Sequence, residues 1–154
     1  MTQKFPLFTN IKSTLMRWRI ELTSLADLEA NLIEVIKWKS WEPTFTASGT
    51  MTFTVSSISY AKYIEVGKAT FFNIRADGTT GGVASTEIRF TLPTRISSTN
   101  VVSFASTIVS GGFSLAGRAL HRIGDEVAVG RYDGANWAIG ANQLISVSGF
   151  YEIV

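Results

Sequence analysis

The stretch "TMTFTV" at Thr50–Val55 sets Met51, Phe53 and Val55 on one side of an extended chain and three threonines on the other. Successive side chains of a strand point to opposite faces, so a period of two marks a strand with one buried face. Similar runs follow at Ile58–Val66, Ala69–Ala76, Ser85–Leu92, Asn100–Ser110, Phe113–Leu120, Glu126–Tyr132 and Leu144–Val154. Breakers separate them: Gly67-Lys68, Asp77 to Gly82, Pro93, Gly111-Gly112, Gly124-Asp125 and Asp133-Gly134. The "GTTGG" at Gly78–Gly82 lacks the lysine of a phosphate-binding loop and reads as a hairpin loop. No helical period survives beyond residue 42, and there is no internal repeat. The pattern predicts a mainly β chain, an antiparallel β-sandwich of jelly-roll type. The final run is apolar to Val154, which predicts a paired and buried last strand.

Upstream the period changes. Ile11, Leu15, Trp18, Leu22, Leu25, Leu32 and Ile36 recur at spacings of four and three once Glu29 is counted, a heptad with one polar interruption. Asn10 is suited to the N-cap. The predicted amphipathic helix runs over 11–36, either continuously or with a break near Thr23-Ser24. The break is favoured by Asp27 behind a second capping pair. It is also favoured by Arg17 and Arg19 near the start and Glu29 and Glu34 near the end, which oppose the helix dipole. Leu28 and Ile33 widen the stripe, so the helix either lies on its own domain or self-associates as a stalk. Its polar face is mixed in sign, which argues against a membrane-surface helix. Pro43 closes the helical part. The expected organisation is an arm and stalk over 1–42 and a β head over 43–154, with Trp38 and Trp41 sealing the joint between the two elements or between subunits around it.

Composition narrows the function classes. The chain has 154 residues, 45% hydrophobic and 17% charged, with net charge +2. Charge is low against about 25% in typical soluble domains, as when apolar surface is hidden in an oligomer. There is no Lys/Arg run, so nucleic-acid binding is not expected. Absence of cysteine excludes thiol catalysis and zinc–thiolate sites. No stretch approaches the ~20 apolar residues of a membrane span. No secretory leader is visible, and synthesis in the cytoplasm is expected.

Chemistry-bearing residues are sparse. His121 is the only histidine. Asp125 stands beside it across a turn, but no serine has a nucleophile-elbow setting, so His121 reads as a surface or loop residue. Carboxylates are scattered and give neither a metal cluster nor an assignable glycosidase pair. The expectation is a non-enzyme with no catalytic residues, cofactor or metal. Tyr60 and Tyr63 should point to opposite faces of a strand, so at most one is core.

"WEPTFTASGTMTFTV" (Trp41–Val55), "AKYIEVGKATFFNIRADGTTGGVASTEIRFTLP" (Ala61–Pro93), "GRYDGANW" and the closing "ISVSGFYEIV" resemble, in that order, C-terminal β-rich modules of bacteriophage tail fibres and related virion appendages. The resemblance covers Trp41–Val154 and carries no catalytic residues. It implies a trimeric virion protein whose β head adheres to a host surface glycan or protein, made in the host cytoplasm and located in the virion. Typical fibres carry long N-terminal attachment regions. With Met1 taken as the start, residues 1–42 would serve as the attachment device. Phe5, Phe8, Ile11, Leu15, Trp18, Leu22, Leu25 and Leu32 would pack against sister chains or other virion proteins. The competing expectation is a capsid or tail decoration protein, or head fibre, docked through the N-terminal segment with no receptor role.

"RYDGANW" at Arg131–Trp137 is where both readings meet. Asp133-Gly134 predicts a two-residue hairpin turn, with Ala135–Ile139 as the returning strand. A free hairpin tip would offer Tyr132, Asp133, Asn136 and Trp137 to a ligand. A Trp137 buried between subunits would make the same letters only a joint.

Overall fold

The computed structural model describes residues 24–30, 37–96, 102–122 and 124–153. The chain forms two compact units, Met1–Lys37 and Trp38–Val154. In the first, residues 24–30 are helical, and Leu25 and Leu28 are exposed. Phe5, Phe8, Ile11, Leu15, Trp18, Leu22 and Leu32 lie outside the described residues, as does the question of a continuous or broken helix.

The second unit is mainly β. Its strands are β1 (Lys39–Ser40), β2 (Phe45–Ala47), β3 (Thr52–Val66), β4 (Ala69–Gly81), β5 (Ile88–Thr91), β6 (Ser103–Ser110), β7 (Phe113–His121), β8 (Glu126–Arg131) and β9 (Gly140–Glu152). They form one antiparallel sheet in the order β1-β3-β4-β9-β6-β7-β8-β5-β2, curled into a half-barrel. Where a sandwich of two packed sheets is expected, the strands belong to one continuous sheet, with β6 bonded to β9 on one side and β7 on the other. Because β1 pairs with β3 and Trp41 packs on Tyr63 and Phe72, Lys39 and Ser40 belong to the sheet and Trp41 packs on its core. Trp38 is exposed.

Strand β4 shows how the sequence builds the core. Thr70, Phe72, Ile74, Ala76, Gly78 and Thr80 are buried in strict alternation along it. Phe72 is the hub, with Phe104, Tyr151, Phe90 and Trp41 rings between 5.0 and 6.4 Å away. These rings come from both halves of the curled sheet, so side chains fill its concave side.

Two expectations about strand limits are corrected. The runs at Thr50–Val55 and Ile58–Val66 are one bent strand, because bulges between Val55 and Ser57 and between Ile58 and Tyr60 interrupt the period without ending the pairing. "GTTGG" is not a hairpin loop. Asp77 to Gly81 continue β4, and a Cβ at Gly78 would stand 2.6 Å from the Phe53 ring and from the Thr54 carbonyl. Glycine serves there for close approach, with the turn delayed to Gly82. Tyr60 pairs with Arg75 and Tyr63 with Phe72, which puts the two tyrosines on opposite faces.

Candidate functional site

β8 has β7 on one side and β5 on the other. Both its edges are occupied, so Ala135–Ile139 has no ladder to join and the expected returning strand does not form. The turn is also of another type. Gly134 N–H donates to Arg131 O at 3.1 Å, and only Gly134, not Asp133, takes a positive φ. Asp133 accepts from Ala135 N–H at 3.1 Å and receives the Arg131 guanidinium at 3.0 and 2.7 Å. These hydrogen bonds, Arg131 first and then Ala135, hold the Asp133 carboxyl down to about 2.

Beyond the turn the chain brings Trp137 into the core of the sheet unit. Trp137 is 1% exposed, its backbone N–H donates to Ser85 O at 2.8 Å, and its indole N–H donates to Val129 O at 3.3 Å. A segment with no strand partner must satisfy its backbone otherwise. Ala138 N–H donates to Ser110 Oγ at 3.0 Å, and Thr80 Oγ1 donates to Ala138 O at 2.6 Å. Gln143 Nε2 donates to Ala141 O at 3.0 Å and Gly140 O at 3.3 Å. Its Oε1 accepts from Gly111 N–H at 3.3 Å. Thr80, Ser110 and Gln143 are buried polar side chains that hold an aromatic plug.

The plug gathers loops from distant parts of the chain. Ser85 reaches Ser48 at 2.7 Å, and a Cβ at Gly111 would stand 3.1 Å from Ala138. Loops 48–51, 82–86, 110–114 and 131–140 therefore share one end of the unit. That end exposes Val83, Phe113, Tyr132 and Ile139. Among the described residues of these four segments the only charged ones are Arg131 and Asp133, which pair with each other. The arrangement is an apolar surface with one internal ion pair on a braced support.

Of the residues singled out in RYDGANW, Tyr132, Asp133 and Asn136 stand at the surface of this end. Trp137 is instead buried in the core of its own chain. Val83, Phe113 and Ile139 were missed. A signal existed: Val83 follows Gly82, and Phe113 follows Gly111-Gly112, so each sits at a turn, where a large apolar side chain is poorly covered.

His121 is buried, not a surface residue. It closes β7, and its Nε2 lies 2.9 Å from Gly124 O, tying the turn into β8. Among the described residues no serine hydroxyl or carboxylate bonds its ring. Glu87, Arg89, Arg122 and Glu126 form an ion-pair network on the outer face. Glu87 takes both arginines, and Arg89 lies 3.7 Å from Glu126. Burial pushes the Glu87 carboxyl up, but the hydrogen bonds from Arg122 and Arg89 outweigh it and hold it below the usual range. Among the described residues no three acidic or histidine side chains cluster as metal ligands, and no helix is long and apolar enough to cross a membrane.

No family model, curated protein or solved structure matches the chain.

Proposed function

We propose that this is a virion appendage protein of the tail-fibre, receptor-binding type. In this reading the chain trimerises through its N-terminal segment and presents three jelly-roll-like β heads to a host surface glycan or protein. The observation that carries the reading is the loop end. Tyr132, Ile139, Phe113 and Val83 are exposed on three of the segments that meet at this end, on a support braced by Trp137. Exposed apolar groups on loops over a rigid scaffold are typical of binding surfaces. Aromatic faces stack on sugar C–H groups, while Asn136 and the backbone of the glycine turns offer hydrogen bonds. Three shallow sites on one trimer would gain avidity of about 10²–10⁴-fold without further contacts.

The test is binding of the purified chain to host cells and to a glycan array, with Tyr132→Ala and Phe113→Ala alongside. The reading expects binding that both substitutions weaken while the melting temperature holds. Binding that is absent, or indifferent to both substitutions, removes it.

One observation favours the alternative of a decoration protein docked through residues 1–42: Phe5, Leu7 and Phe8 make the start of the chain apolar, as in an arm that orders on docking. Deleting residues 1–10 separates the two. Loss of particle incorporation with cell binding retained supports the adhesin, whereas incorporation lost from a chain that never binds cells supports decoration.

A further inference from the structure

The registers of β3, β4 and β9 arrange their outward side chains in rows, since directly opposed residues of an antiparallel pair share a face. Val66, Ala69 and Glu152 form one row; Ile64, Phe71 and Phe150 the next; Lys62, Asn73 and Ser148 the third. Phe71 and Phe150 lie 5.7 Å apart and are still 43% and 65% exposed. With exposed Val66 and half-buried Ile64 and Ala69 they make an apolar band across three strands. Glu152 and Lys62 occupy diagonal corners of this grid. Both are exposed, and neither forms an ion pair among the described residues.

We propose that this face docks on the same face of a second copy of the chain. Opposite charges on diagonal corners make the surface self-complementary. A two-fold axis lying in the contact plane, along the line from Val66 through Phe71 to Ser148, sets Val66 on Val66 and Phe71 on Phe71. It also brings Glu152 of each copy within about 6 Å, in the plane, of the partner's Lys62, twice, which the two long side chains can span. The strands of the two copies then cross at about 70°, nearer the orthogonal than the aligned way in which sheets pack face to face. The contact is isologous and closed. Three strands about 4.8 Å apart and three rows about 6.8 Å apart give a footprint of about 300 Å² per copy. A stable interface of standard size takes about 800 Å² per partner, so this contact is weak and depends on concentration. It is independent of association through residues 1–42.

The test is light scattering on the full chain through a dilution series, with Lys62→Glu, Glu152→Lys and the double variant. Each single change sets like charges opposite one another and should weaken association at least about tenfold; the double restores it with the signs exchanged. Phe150→Glu should abolish the step. The step should persist when Leu22 and Leu25 are changed to Lys, which removes association through the helix. A zero-length carbodiimide should join Lys62 to Glu152 between light and heavy-isotope copies, because within one copy the two lie about 16 Å apart. Masses unchanged by all these substitutions overturn the proposal. So does an effect of Phe150→Glu without rescue in the double variant, which would mean another docking geometry.

Discussion

Strand β4 and the segment Tyr132–Ile139 each bury a large aromatic almost completely, Phe72 at 2% exposure and Trp137 at 1%. They do so by different means. β4 is bonded to β3 and β9 along its length, so its backbone is satisfied by the ladder and its side chains need only alternate. The segment after β8 has no ladder, and its backbone is held by the Thr80 and Ser110 hydroxyls and the Ser85 carbonyl, with Gln143 bracing Gly140 and Ala141 just beyond it. Regular burial rests on local pattern, whereas irregular burial rests on polar side chains supplied from elsewhere in the chain.

The comparison breaks most sharply at the rings. Trp137→Ala should cost about 3–5 kcal/mol, as much as Phe72→Ala, because both leave a cavity in a packed interior. Urea unfolding measures both. A loss well under that of Phe72→Ala would mean that the segment is a surface flap instead of a plug.

Gly78→Ala probes the β4 side. Alanine normally suits a strand better than glycine, but here the new methyl meets the Phe53 ring and a backbone carbonyl, both at 2.6 Å. A destabilisation of about 1–3 kcal/mol is expected from overpacking. A stabilised variant would contradict the close approach.

On the other side, Gln143→Leu leaves the Gly140 and Ala141 carbonyls and the Gly111 N–H without that partner. About 1–3 kcal/mol should be lost, with faster amide exchange at Gly111. Thr79→Val, on the exposed face of β4, should stay within about 0.5 kcal/mol. Equal effects from the two would erase the distinction between the regions.

The smallest effect is electrostatic. The Glu87 carboxyl is held below its ordinary value of 4.5, so the unfolded chain takes up this proton before the folded one. Its contribution is complete above that value and is lost as pH falls through the lowered one. Thermal melts should therefore decline with acid, and Glu87→Gln should flatten the decline. An unchanged slope would show that the network carries no proton linkage.

Much of the sheet was legible because its signal is local. Alternation in β4 and the glycine pairs at the turns need only neighbouring residues to be read. The bulged β3 was read as two strands, since an extra residue at each bulge breaks the period while the partner strand keeps the pairing. Gly78 was read as a breaker because its neighbour, the Phe53 ring, lies on another strand. At the candidate site Tyr132, Asp133 and Asn136 were found from residue type. Val83, Phe113 and Ile139 come from three separate loops and meet only through the Trp137 plug.

The sequence by itself determined that the chain from Thr44 onward is β, which faces of its strands are apolar, and that Arg131–Gly134 turns, because periodicity and turn chemistry act over a few residues. Tertiary structure alone decided where the chain goes after that turn. β5 and β7 already occupy both edges of β8, so the hydrogen bonds a returning strand needs were not there to be made, and Trp137 went into the core instead.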